Sequence, residues 1–273
     1  MRFLISVDME GIAGVVDPED ISPGHPEYER NRRYMTDEAS AVVRGLLAAE
    51  PAASVTVCDA HAGFRNLLPD RLARGCRLIR GGPRRHGMLA GIEAGVDAVL
   101  LVGYHGAAGT ERSVLSHTVS GGTIAQVRCD GVALGEIGLS VRLASHHGAP
   151  TIFASGDDTA CAEAEAAAPG IVVVAVKRAL GNRAADCLHP ADACEQLEAG
   201  AAEAAARRPP PEAHRRAGSP VDLEIDLLRP VMADRVTRIP GAQRGASNTV
   251  TFSVPDISAA YELVDLVADV AAS

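Results

Sequence analysis

Short β-branched apolar runs alternate with longer stretches of helical period through the first two thirds of the chain, the pattern of βαβ units and a mainly parallel sheet. Residues 3–8, 54–59, 76–80, 98–104, 151–155 and 171–177 read as strands. Between the first two, Met35, Ala39, Val42, Val43, Leu46 and Leu47 recur at three- and four-residue intervals, which predicts a helix over about 27–50 with one face on the sheet.

The pattern changes around Cys129-Asp130-Gly131-Val132. Asp-Gly between alternating apolar residues is a tight-turn signal and predicts a β-hairpin. Helices are expected over about 135–147 and 191–207. Then Pro209-Pro210-Pro211 and the charged stretch to Pro220 mark the best candidate boundary. Beyond it lie expected strands over 221–227 and 247–254 and a closing helix from Ile257. The expected fold is α/β: a mainly parallel, three-layer sheet flanked by helices, with a β-hairpin insertion and a smaller α+β C-terminal portion. Residues 1–207 would form the catalytic domain and 208–273 the C-terminal portion, either separate from it or continuous with it.

Composition narrows the function classes. With 273 residues, 47% of them hydrophobic, core formation needs no disulfide staples. The six cysteines show no C-x-x-C spacing and read as small buried residues. The apolar run at the start is too short for a signal peptide, and no window reaches the length of a membrane span, so no membrane partner and a cytoplasmic location are expected. A net charge of −9 and only 3% aromatic residues argue against nucleic acid as a partner. The arginine spots at Arg30, Arg32 and Arg33, at Arg84 and Arg85, and at Arg215 and Arg216 read as solvated faces or subunit contacts.

In open α/β sheets ligands bind beyond the carboxyl ends of the strands. The first strand ends Val7-Asp8-Met9-Glu10-Gly11, where residues two apart project to the same side, so Asp8 and Glu10 converge. The second ends Asp59-Ala60-His61, and another ends Gly103-Tyr104-His105. In a parallel sheet Asp8, Glu10, His61 and His105 therefore share one edge. Carboxylate oxygen with imidazole nitrogen suits zinc and related divalent ions, and a carboxylate such as Asp8 is able to bridge two of them. Read alone, Glu136 is an acid favoured in a helix's first turn, His117 a hydrogen-bonded strand residue, and Asp157 a helix cap.

Ser6-Val7-Asp8-Met9-Glu10-Gly11 resembles the S-x-D-x-E-G signature of the zinc D-aminopeptidases of the dipeptide-operon (DppA-like) type. Asp59-Ala60-His61, Gly103-Tyr104-His105, Ser116-His117, Gly135-Glu136-Ile137-Gly138-Leu139 and Gly156-Asp157-Asp158 follow in that family's order, across nearly the whole chain. The resemblance implies two zinc ions per subunit on Asp8, Glu10, His61, His105 and Glu136. Asp8 would bridge, with Glu10 and His105 on one ion and His61 and Glu136 on the other. It implies His117 as the catalytic residue, a short peptide with D-residues such as D-Ala-D-Ala as substrate, and a ring-like decameric homo-oligomer. Departures are local: Ala62-Gly63-Phe64 after His61 and Gly106 after His105 bear on the substrate pocket. The rival readings are a two-metal phosphoesterase and a non-catalytic, metal-dependent peptide-binding protein.

Overall fold

The computed structural model describes residues 1–207 and 218–273. The proline run, Arg215 and Arg216 lie outside the described residues. In chain order the first half holds β1 (Arg2–Val7), α1 (Pro18–Ile21), α2 (Pro26–Ala49), β2 (Ser54–Asp59), β3 (Cys76–Ile79), β4 (Ala98–Tyr104), the hairpin β5 (Ile124–Cys129) and β6 (Val132–Leu134), and α3 (Glu136–His146). There follow β7 (Thr151–Asp157), α4 (Asp158–Ala167), β8 (Val172–Gly181), β9 (Ala184–Cys187), α5 (Pro190–Arg207), β10 (Val221–Leu227), α6 (Pro230–Val236), β11 (Gln243–Arg244), β12 (Thr249–Val254) and α7 (Ile257–Ala272).

The main sheet has seven strands in the order β3-β2-β1-β4-β7-β8-β9, parallel except for the last pair. Alternation along β1 sorts its side chains. Phe3, Ile5 and Val7 pack toward α2 and α5, whereas Leu4 joins the core formed with α3, α7 and the second sheet. That second sheet is antiparallel, ordered β11-β12-β10-β5-β6, so the hairpin pairs with strands from the chain's tail. The hairpin turns at Asp130 (φ 55°) and Gly131 (φ 76°), the two left-handed positions its tight turn requires.

Three differences from the expected elements matter. β8 runs on to Gly181 and is closed by the antiparallel β9, an edge that the short run Ala184-Ala185-Asp186-Cys187, with no β-branched residue, did not signal. α6 is a short helix entered through Pro230. His117 lies in a loop between β4 and β5, not in a strand. Of the cysteines, Cys58, Cys129 and Cys161 are buried and Cys76, Cys187 and Cys194 partly so, all as free thiols. No helix among the described residues is long and apolar enough to cross a membrane.

The strand order positions the chemistry. From β1 the chain steps outward to β2 and β3, then returns to the other side for β4, β7 and β8. The order in which strands are added thus reverses between β1 and β4, which opens a crevice at their carboxyl ends.

Candidate metal centre

Asp8 and Glu10 leave β1 at this crevice, His61 follows β2, His105 follows β4 and Glu136 opens α3. The two chain ends meet closely: Gly11 N–H donates to Gly103 O at 2.7 Å, and Gly103 has φ 69°. A Cβ on Gly11 would overlap the backbone of Gly103 and Tyr104, so glycine is required for this approach.

All five expected donors are buried and face one another. Asp8 looks both ways, with Oδ1 3.5 Å from His61 Nδ1 and Oδ2 3.5 Å from His105 Nε2. His61 Nδ1 is 2.9 Å from Glu10 Oε2, and His105 Nε2 is 3.4 Å from Glu136 Oε2. His117, partly exposed, presents Nε2 3.6 Å from Glu136 Oε1 and 3.9 Å from Glu10 Oε1. Two sets converge within 4.8 Å: Asp8, Glu10 and His105, and His105, His117 and Glu136. The first comprises the donors that the resemblance groups around one ion. The shortest pairs, His61 with Glu10 and His105 with Glu136, cut across the expected allocation.

The histidines' outer nitrogens decide how they meet a cation. His61 Nε2 lies 3.1 Å from Ile21 O, His105 Nδ1 3.0 Å from Gly106 O, and His117 Nδ1 2.8 Å from Leu115 O. A carbonyl only accepts, so each outer nitrogen carries a hydrogen, and the inner nitrogen, which faces carboxylate oxygens, is the one that lends a lone pair to a cation once its proton is lost. His105 Nε2 is buried without a hydrogen-bond partner among the described residues. Three buried carboxylates call for positive charge, supplied by protons or by a cation, and oxygen with imidazole nitrogen is a donor set for zinc-like ions. The residues fit a divalent metal.

Proton affinities report the same demand. Burial, then the Glu10 charge, pushes the Asp8 carboxyl up to about 8. Burial pulls His105 down, but Glu136, Asp8 and Glu10 outweigh it and raise the imidazole to about 10. His61 is likewise raised well above its ordinary value, burial being overcome by Glu10 and Asp8. Glu10 and Glu136 are lowered, because the neighbouring histidines outweigh their burial. In the absence of metal the cluster recruits protons.

Supporting residues fix the donors. Asp59 accepts the N–H groups of Asn66 (2.6 Å) and Leu67 (2.7 Å) and the Asn66 side chain (2.8 Å), and Asn66 Nδ2 in turn donates to His61 O. Asp157 caps α4 through Ala160 N–H, as the sequence predicts. Its other oxygen accepts from Ser113 Oγ and Val114 N–H, which anchors the loop leading to His117. That second role and the buried Lys177 behind Glu10 escaped the sequence reading. The arginines are occupied structurally: Arg32 donates to Asn66 O, Arg84 stacks on Phe64, and Arg85 pairs with Glu262.

Comparisons with known proteins identify the family. The model of peptidase family M55, described as D-aminopeptidase, matches residues 1–266. A D-aminopeptidase of Bacillus subtilis (strain 168) is 30% identical over 272 residues, 99% of this chain and 98% of that protein. A solved structure, the Zn-dependent D-aminopeptidase DppA from Bacillus subtilis, described as a self-compartmentalizing protease, matches with a TM-score of 0.92 at 28% identity, covering 100% of this chain and 98% of that one. With the strand order, the crevice and the donor cluster in place, the chain belongs to the M55 peptidase family, the D-aminopeptidases.

Proposed function

We propose that the protein is a zinc-dependent aminopeptidase that removes the amino-terminal residue from short D-residue peptides such as D-Ala-D-Ala, with two ions held by Asp8, Glu10, His61, His105 and Glu136. The observation that carries this reading is the convergence of the inner nitrogens of His61 and His105 on three buried carboxylates. One Asp8 oxygen toward each of His61 and His105 supports reading Asp8 as the bridge. Zinc, when bound, polarises the scissile carbonyl and makes water a better nucleophile near neutral pH.

His117 does the proton work. Its Nδ1–H is committed to Leu115 O, so Nε2 accepts a proton from the attacking group and returns it to the departing amine. The ring is held from behind: Leu115 N–H donates to Asn182 O, and Asn182 Nδ2 donates to Ser116 Oγ and Ser113 O. His117 Nε2 faces the carboxylates of Glu10 and Glu136, at 3.9 and 3.6 Å, which turns it toward the donor cluster.

Phosphoesterase activity needs cations for the phosphate, and the buried cation nearest the donors, Lys177, has its three N–H groups committed to backbone carbonyls. The relative's self-compartmentalization supports a closed homo-oligomer here, a ring-like decamer in which the sites face an enclosed space. Exposed Val132, Leu180, Leu228, Val231 and Leu266 offer apolar surface for such contacts.

Incubation of the zinc-loaded protein with D-Ala-D-Ala, L-Ala-L-Ala and p-nitrophenyl phosphate tests the reading. Release of D-alanine alone, read by chiral chromatography, is the expected result. Turnover of the phosphate ester alone overturns it.

A further inference from the structure

Lys177 lies on β8, two strands beyond β4 on the far side of the sheet from β2, and is almost fully buried. Its Nζ donates to Glu10 O at 2.6 Å, Val15 O at 2.7 Å and Ile12 O at 3.0 Å. Three acceptors use three N–H donors, so the group sits there as an ammonium. Burying an ammonium costs several kcal/mol unless its hydrogen bonds are complete, and here the loop after β1 coils so that three carbonyls converge on it.

The peptide unit that follows Glu10 is therefore fixed at both ends. Its carbonyl is held by Lys177 from one side, and its N–H, on Gly11, is held by Gly103 O from the other. With that peptide immobilised, the Glu10 carboxylate retains only side-chain torsions, and its Oε2 already rests 2.9 Å from His61 Nδ1. Glu38, on α2, anchors the same loop by accepting Ala13 N–H at 2.8 Å, but it touches no donor residue. The two anchors thus differ in one respect: Lys177 grips the backbone of a residue in the donor set.

We propose that Lys177 is a positioning residue whose ammonium, by gathering the carbonyls of Glu10, Ile12 and Val15, sets the Glu10 carboxylate for metal binding. The inference rests on the reading of Glu10 as a metal donor. It makes metal affinity, and not only fold stability, depend on a side chain that touches neither metal nor substrate.

The test uses the full-length protein and compares Lys177→Met, Lys177→Arg, Glu38→Leu and Glu10→Gln. Zinc affinity is measured by competition with a chromophoric chelator, the donor geometry by the visible absorption of the cobalt-substituted protein, and stability by thermal melting of the metal-free form. Lys177→Met should weaken zinc binding by about 10- to 100-fold, as loss of a partner that orients a ligand does, and change the cobalt spectrum. Lys177→Arg, which keeps charge and donors, should recover part of the loss. Glu38→Leu should lower the melting temperature while leaving affinity and spectrum near those of the parent. If Lys177→Met does not fold, Lys177→Gln, which keeps two N–H donors, carries the same measurement. Zinc affinity within about twofold of the parent in whichever of these folds overturns the proposal. Should Glu10→Gln itself bind zinc like the parent, the reading of Glu10 as a donor fails instead, and the two failures are told apart.

Discussion

The imidazoles of His105 and His117 lie stacked, with centroids 4.1 Å apart and planes 10° from parallel. Both use Nδ1 on a backbone carbonyl and both turn Nε2 toward Glu136. Their surroundings separate them. His105 Nε2 is sealed off without a partner, whereas the His117 side chain is 22% exposed and open to an incoming substrate.

That difference predicts opposite outcomes for two substitutions. His117→Ala should retain the parent's zinc content and lose about 10²- to 10⁴-fold in kcat, the usual contribution of a positioned acid–base group. Asp8→Ala should lose bound zinc, because it removes the carboxylate shared between His61 and His105. Elemental analysis of both variants beside peptide turnover checks this. Loss of zinc in His117→Ala would move His117 into the ligand set, where its convergence with His105 and Glu136 also allows it to stand.

The pH dependence of metal removal follows from the raised proton affinities. Asp8 holds its proton up to about 8 in the folded metal-free chain against an ordinary value of 3.8, so its contribution to stability declines as pH rises through that window. His105, at about 10 against 6.5, contributes stability that is complete below 6.5 and lost as pH rises through 10. Both trends weaken the metal-free protein between pH 6.5 and 8, where deprotonated ligands bind metal best. The drop in melting temperature caused by a chelator should therefore be larger at pH 8 than at pH 6. An equal or smaller drop at pH 8 would contradict the assignment of these groups to the metal.

Gly11→Ala tests the contact that brings β1 and β4 together. The added methyl group meets the carbonyl oxygen of Tyr104 and the backbone of Gly103, which no rotamer change relieves. Overpacking of this kind costs about 1–3 kcal/mol or more. Because Glu10 precedes this residue and His105 follows Tyr104, stability and zinc content should fall together in calorimetry and elemental analysis. A destabilised variant with full zinc content would uncouple the contact from the site.

How much of this was legible in the sequence depended on the range of the interaction. Asp8 and Glu10 were readable because a period of two is local, and His61 and His105 because each follows an apolar run that ends in a polar residue. Glu136 was readable by itself only as a helix's first-turn acid. What brings it to the centre is the path from the β5–β6 hairpin into α3, a long-range arrangement that residue patterns do not encode and that the family resemblance supplied. Asp157 was read as a cap, correctly, but its grip on Ser113 and Val114 spans more than forty positions. Lys177 left one faint signal, a cation directly after the apolar run Val172 to Val176. A charge that becomes buried within a strand needs partners, and only the fold shows that they are the carbonyls behind Glu10.

Glu38 offers a stability prediction independent of metal. The side chain is buried, one oxygen accepts Ala13 N–H, and the other has no partner. Burial raises its carboxyl to about 7 from 4.5, against the opposing pull of the Ala13 N–H and the Lys177 charge. A carboxyl that holds its proton longer in the folded than in the unfolded chain lowers stability as pH rises from 4.5 through about 7, and by a constant amount above that. Glu38→Gln keeps an acceptor for Ala13 and cannot ionise. Relative to the parent it should gain about 1–3 kcal/mol between pH 4.5 and pH 8, most of it before pH 7. Urea unfolding of both proteins at pH 5 and pH 8 measures the gap. A difference between variant and parent that is the same at the two pH values would show that the Glu38 carboxyl ionises as freely in the folded chain as in the unfolded one.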